Sequence, residues 1–314
     1  LERPAVADMP KDSLPPPTGR VDHGYNGYYT TRDPSALPEG VGQWNMKRKR
    51  AGKDEWERAP VAIDDPDGAV MSFDPPDKAY ATMHWAWLMQ LVELPDASLL
   101  AVFYGYRLDA DRRPHPKWQS YCLRSVDNGL TWRFRGIIGP DDNPPLAGYT
   151  EPSVTLLRDG SLLAALRTEC ARMGPMYRTR STDGGETWEK PEPMYPFGVL
   201  PKLLALQNGV TALSFGRPGA HMLFSQDGEG RSWENLITFV AESLEGTGIE
   251  GEGHGFQRGE DPGGRPKQTR TSGYTDLVAI GPAGLMIVYD QFDYPDENCE
   301  PRKTILVKRI TVSA

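Results

Sequence analysis

Cysteine is scarce in this chain. Three residues in 314, Cys122, Cys170 and Cys299, lie far apart. That number and scatter exclude a disulfide framework and a cysteine zinc site, leaving room for at most one bridge. Histidine is equally sparse, at five. Positive charge is not in excess: 35 Lys and Arg stand against 43 Asp and Glu, a formal net charge of −8. A nucleic-acid surface needs a basic face, and none is evident. The short run KRKR at 47–50 follows WNM in a strand-like stretch and reads as a solvated edge or face. No apolar run approaches the roughly 20 residues of a membrane helix. The opening LERPAV has neither an initiator Met nor the apolar stretch of a secretory leader, so it is compatible with a leader already removed. It assigns no compartment, although an extracytoplasmic one is slightly favoured. No P-loop, GxGxxG or HExxH motif occurs, and no metal or organic cofactor is called for.

Glycine and proline, by contrast, are plentiful at 33 and 29, and 38% of residues are hydrophobic. That composition is turn-rich but too apolar for disorder. The turns repeat. SVDNGLTW at 125–132, STDGGETW at 181–188 and SQDGEGRSW at 225–233 write one pattern three times: Ser, Asp, Gly and Trp, once with an extra residue. Ser and Asp side chains hydrogen-bond nearby backbone, Gly supplies positive φ, and the Trp ring folds back over the turn. Strand-like residues precede each copy, so each reads as a hairpin turn.

A second repeat interleaves with the first. MQLVELPDASLLAVFYGYR (89–107), PSVTLLRDGSLLAALR (152–167), PKLLALQNGVTALSFGR (201–217) and YTDLVAIGPAGLMIVYD (274–290) each read as strand, tight turn, strand. Their continuous apolar character predicts strands buried on both faces. Together the repeats describe a four-stranded antiparallel meander recurring along the chain, the signature of a β-propeller rather than a β-sandwich. Four blades are centred near 84–135, 150–190, 200–235 and 272–312. A partial one precedes them, formed by GYNGYYTT, VGQWNMKRKR and the degenerate turn AGKDEW, which brings the visible count to five. Residues 1–24 read as an N-terminal loop-like segment and 25–314 as the propeller domain, with a Gly-rich polar insertion at 240–271. That insertion is either a surface loop or a rim over the axial end.

The order of polar residues on these strands resembles the sialidase superfamily. Glu151 begins one blade's first strand and Arg167 ends its second. Arg217 follows the next hairpin in LSFGRPG, and Tyr274 stands in TSGYTDL of the last blade. The likeness covers roughly residues 84–312 and implies an all-β, sialidase-like propeller of six blades. It implies an exo-glycoside hydrolase that removes a terminal, possibly acidic, sugar. Tyr274 would be the nucleophile and Glu151 the base that takes its proton, since a phenol with a pKa near 10 is a weak nucleophile unaided. Arg167 and Arg217 would hold the sugar, bidentately if it carries a carboxylate. Asp33, in YYTTRDPSALPEG, would be the acid/base, or simply an Asp forming a turn before Pro. The chain departs from the family in lacking the first-blade Arg of an RIP motif, which opens the range of sugars beyond sialic acid.

Other residues extend the list. Trp85 and Trp87 in HWAW, on one face by alternation, offer sugar-stacking surfaces or core packing. His254 in GEGHGF offers a reach from the insertion. Two further readings stay open. A polysaccharide lyase would use Tyr274 and His254 to remove a proton beside a uronate carboxylate. A non-catalytic glycan-binding propeller would use the same surface without turnover. All three take a carbohydrate partner, with no nucleic acid and no membrane, and none fixes an oligomeric state.

Overall fold

The computed structural model describes residues 14–22, 28–33, 36, 38, 44–49, 51–70, 86–168, 174–242 and 270–312. Among them the chain is all β, with mostly antiparallel pairing. The first blade is the meander β7 (Trp87–Glu93), β8 (Leu99–Arg107), β9 (Gln119–Ser125) and β10 (Thr131–Ile138). The second is β11 (Tyr149–Leu156), β12 (Leu162–Thr168), β13 (Met176–Ser181) and β14 (Glu192–Tyr195). The third is β15 (Val199–Ala205), β16 (Thr211–Gly216), β17 (Ala220–Ser225) and β18 (Glu234–Val240). The fourth contains β19 (Thr275–Ala279), β20 (Gly284–Pro295) and β21 (Pro301–Thr311). The first strands stand side by side, β11 against β7 and β15, and β15 against β19.

Local chemistry explains the turns. In the first Asp box the Ser125 hydroxyl donates to Asp127 at 2.8 Å and accepts the Gly129 amide at 2.9 Å. Asp127 in turn accepts the Thr131 amide at 2.8 Å, and the Trp132 indole N–H donates to the Gly129 carbonyl at 2.9 Å. The second box repeats this with Ser181, Asp183, Gly185 and Trp188. In the third, the extra residue moves the Gly230 amide onto Asp227 at 2.7 Å, while Trp233 still donates to the Gly230 carbonyl. The tight turns are built alike: Asp96, Asp159 and Asn208 each accept the amide two residues on. Arg124 and Arg180, one residue before a box Ser, tie each box strand to the neighbouring turn through Ser98 and Asp96, and through Ser161 and Asp159.

The core lies between blades. One cluster joins Val92, Leu100, Val102 and Cys122 of the first blade to Val154, Leu162, Leu166 and Trp188 of the second. A second joins Leu163, Ala165 and Met176 to Leu213, Phe215 and Leu223 of the third, and a third joins Ala212, Met222 and Phe224 to Leu285, Ile287 and Tyr289 of the fourth. The box tryptophans belong to this packing rather than to an open end: Trp188 packs in the first of these clusters and Trp233 against the second, while Trp132 lies 1% exposed beside Met46 and Phe103. Gly136 is where the second box meets the first blade; a Cβ there would fall 2.5 Å from the carbonyls of Gly185 and Glu186.

The structure corrects several expectations. The fourth blade shows three strands among the described residues, not four. Its first strand is not buried on both faces, because Asp276 and Val278 are exposed. Within the segment read as loop, β1 (Pro17–Asp22) pairs with β2 (Tyr28–Arg32). The partial N-terminal blade is instead two separate hairpins, the second formed by β3 (Asn45–Arg48) and β4 (Glu57–Pro60). Beyond them β5 (Ala62–Asp64) adds in parallel to the outer strand β10 of the first blade, and β6 (Ala69–Val70) pairs with the end of β8. Alternation alone does not reveal which distant strand offers a free edge.

Candidate active site

Among the described residues, Trp87, Glu151, Arg167, Arg217 and Tyr274 lie at one end of the array, where first strands begin and second strands end. Cross-blade hydrogen bonds set this level. Gln90 of β7 accepts the Ser153 hydroxyl and the Val154 amide of β11, and Ser153 accepts the Leu203 amide of β15. On the far side the Ser214 and Thr275 hydroxyls meet at 2.7 Å.

Glu151 sits in a break of register near the start of β11, between Thr150 and Ser153, with φ of 47°. A left-handed conformation at a non-glycine residue is costly and is held by its surroundings. One carboxylate oxygen accepts the Arg167 guanidinium at 2.8 Å; the other accepts the Leu200 amide of the next blade at 2.7 Å. Leu200 occupies the same kind of break in β15, with φ of 49°, and each of these residues precedes a proline. Both side chains of the Glu151–Arg167 pair are mostly buried, which strengthens the attraction relative to a solvated pair.

Arg217 lies in the turn between β16 and β17, with φ of 52°. Its Nε donates to the Ser272 carbonyl at 3.1 Å, and its guanidinium lies 4.7 Å from the centre of the Tyr274 ring. That is cation–π distance. The Tyr274 ring is 45% exposed. Gly216 allows this approach, since a Cβ on it would fall 1.8 Å from the Gly273 carbonyl oxygen. The segment leading to Tyr274 is fixed by Asp290, which accepts the Thr271 hydroxyl at 2.6 Å and the Ser272 amide at 2.9 Å. Glu242 accepts the amides of Arg270 and Thr271.

The structure therefore pairs Glu151 with Arg167 and Tyr274 with Arg217. Among the described residues no direct hydrogen bond joins Tyr274 to Glu151, whose two oxygens accept from Arg167 and from the Leu200 amide. Trp87, at the start of β7, is 56% exposed at the same end. Asp33 is exposed just past β2, and its carbonyl accepts the Ala36 amide in a turn. Trp85 and His254 lie outside the described residues, as does most of the Gly-rich insertion. Asp290 escaped the sequence reading although it lies within β20, one residue past Tyr289, which pairs with the start of β19. So did the bidentate pair of Arg107 with Asp65, at 2.6 and 2.9 Å, which closes the end of β8. Nearby Tyr149 is buried, and its hydroxyl donates to the Asp141 carboxylate at 3.3 Å; burial, then that carboxylate, push its phenol well above the usual range. Among the described residues no group of three His, Cys, Asp or Glu is arranged to hold a metal, and no helix is long and apolar enough to cross a membrane.

A sheet array with three Asp boxes and polar residues gathered at one end defines a sialidase-like propeller. The chain belongs to the BNR repeat-like domain family, whose model matches residues 89–297. No curated protein matches the sequence. Among solved structures, a protein of unknown function from Dyadobacter fermentans superposes with a TM-score of 0.58 at 17% identity, over 88% of this chain and 66% of that one. A point mutant of the NanB sialidase from Streptococcus pneumoniae gives 0.51 at 15% identity, over 90% of this chain and 36% of that one. The GH93 alpha-L-arabinofuranosidase of Fusarium graminearum gives 0.49 at 14% identity, over 77% and 66%. This chain thus spans just under two thirds of the first structure's length and little more than a third of the sialidase's. At these identities the likeness is one of fold.

Proposed function

We propose that the protein is an exo-acting glycoside hydrolase of the sialidase-like class, with its reaction centre at the starts of β11 and β19 and the ends of β12 and β16. The observation that carries this reading is the pairing of Glu151 with Arg167 and of Arg217 with Tyr274 at one end of three consecutive blades. Tyr274 offers a neutral nucleophile. Arg217 lies over the ring, where its charge favours a developing phenolate. Glu151 takes the phenolic proton through an intervening water or after a sugar displaces one of its donors, and Arg167 orients the carboxylate. Asp33 supplies the leaving-group proton, and Trp85 and His254 contribute sugar contacts. No cofactor enters this scheme. A non-catalytic glycan-binding role is favoured by one observation, the engagement of both Glu151 oxygens.

The test is turnover of 4-methylumbelliferyl glycosides of sialic acid, arabinofuranose and common neutral hexoses. Release of the fluorophore by wild-type protein and its loss in Tyr274→Phe support the hydrolase. Sugar binding without release favours the binding module. A product absorbing in the ultraviolet as an unsaturated uronate, formed from a uronate polysaccharide, shows a lyase.

A further inference from the structure

We propose that Trp87 and Tyr104 form a stacking platform for a second sugar unit, so that the site reads an oligosaccharide rather than a lone terminal residue. This rests on the reading above only for the position of the first sugar. Trp87 pairs directly with Tyr104 across β7 and β8, which places both side chains on one face of the blade. Tyr104 shares that face with Val102, a member of the cluster packed against the second blade. The platform therefore belongs to the seam between the first and second blades. Trp118 backs it, with its ring 5.5 Å from Tyr104 and 4.1 Å from Tyr106.

The same seam leads to Glu151. Trp118 bridges to Gly148, its amide donates to the Ala147 carbonyl at 2.8 Å, and its carbonyl accepts the Tyr149 amide at 3.2 Å. Ser120, which pairs with Tyr104, donates to the Tyr149 carbonyl at 3.1 Å. Gly148 permits this contact, since a Cβ there would fall 2.2 Å from the Trp118 carbonyl oxygen. Two residues after Tyr149 the chain reaches Glu151. Gln90, three residues after Trp87, bonds Ser153, two after Glu151, which sets Trp87 level with the carboxylate. An indole 56% exposed beside a polar cluster leaves a large apolar surface in water. The C–H face of a pyranose or furanose covers such a ring while its hydroxyls stay solvated. The ligand class is thus a short glycan of at least two units, one at Glu151 and the next on Trp87.

The experiment measures binding of arabinotetraose, xylotetraose, cellotetraose and sialyllactose, each beside its terminal monosaccharide, by calorimetry and tryptophan fluorescence. Wild-type protein, Trp87→Ala, Tyr104→Leu and Tyr274→Phe are compared, with melting curves to verify folding. At least one oligosaccharide is expected to bind wild type more tightly than its monosaccharide. Trp87→Ala should weaken that oligosaccharide about tenfold and leave the monosaccharide unchanged. Tyr274→Phe should bind like wild type. Equal oligosaccharide affinity in wild type and Trp87→Ala overturns the platform, as does the absence of any oligosaccharide preference. Turnover retained by Tyr274→Phe while Trp87→Ala still loses oligosaccharide affinity overturns the hydrolase mechanism and leaves the platform standing.

Discussion

The carboxylate of Glu151, on one blade, accepts the backbone amide of Leu200, on the next, at 2.7 Å. Both residues hold left-handed conformations in matching register breaks. A group read as a catalytic base is therefore also part of the seam between two blades, and its other oxygen is bound to Arg167. Replacing it tests chemistry and architecture together, which governs how variants are chosen.

Glu151→Gln keeps an acceptor for one of the two donors and removes the proposed base. Turnover should fall by about 100-fold or more, while the melting temperature drops only modestly. Stopped assays against the substrate found in the glycoside panel check this. Unchanged turnover would remove Glu151 from the reaction.

Arg167→Ala leaves a mostly buried carboxylate without its partner and should cost about 3 kcal/mol of stability. The double variant Arg167→Ala, Glu151→Gln should recover much of that loss, since no charge is then stranded. Urea unfolding of the three variants and wild type closes the cycle. Strict additivity would show that the ion pair contributes nothing.

Asp183 holds the second box together. Burial works to raise its pKa, but the Thr187 hydroxyl and amide, the Ser181 hydroxyl and the Glu186 amide outweigh it and hold the group at about 2, below the ordinary 3.8. A lowered folded pKa means its stabilisation is full above about pH 4 and is lost as pH falls toward 2. Asp183→Ala should cost about 1–2 kcal/mol with turnover per folded molecule preserved. Against Asp183→Asn, the wild-type advantage should shrink across that acid window in a pH series of unfolding curves.

Gly216→Ala introduces a Cβ where the Gly273 carbonyl already stands. The segment carrying Gly273 and Tyr274 must shift, at a cost of about 1–3 kcal/mol. Turnover should fall although no reacting group is altered. Gly160→Ala, at a turn where a Cβ meets nothing within 4 Å but φ is 83°, separates general backbone strain from displacement of Tyr274. Its stability should fall and its turnover per folded molecule should not.

Cys122 and Cys299 are free thiols with opposite surroundings, one buried and one exposed. Burial pushes the Cys122 thiol up to about 12, against weaker opposing effects of Trp188 and the Gly136 carbonyl. In native protein a thiol reagent should modify Cys299 promptly and Cys122 only on unfolding, as peptide mapping after timed labelling would show. Prompt labelling of Cys122 would mean the seam between the first two blades opens.

The Asp boxes were legible from sequence because every bond they make closes within a few residues. Ser125, Asp127, Gly129 and Trp132 are partners whatever the rest of the chain does, so their spacing carries their geometry. The hairpins built on Asp159 and Asn208 were legible for the same reason. The order of Glu151, Arg167, Arg217 and Tyr274 could be read too, as residues at strand ends, but not their partners. Those depend on contacts 49 to 57 residues apart, Glu151 with Leu200 and Arg217 with Tyr274, formed only when neighbouring blades seat against each other. Two register breaks and the bare backbone of Gly216 decide which donor reaches which acceptor, and no local periodicity records them. The same holds for β5, whose three residues join β10 because that strand's edge is free in the folded sheet, and for Asp290, whose role appears only once the loop at Thr271 and Ser272 lies across it.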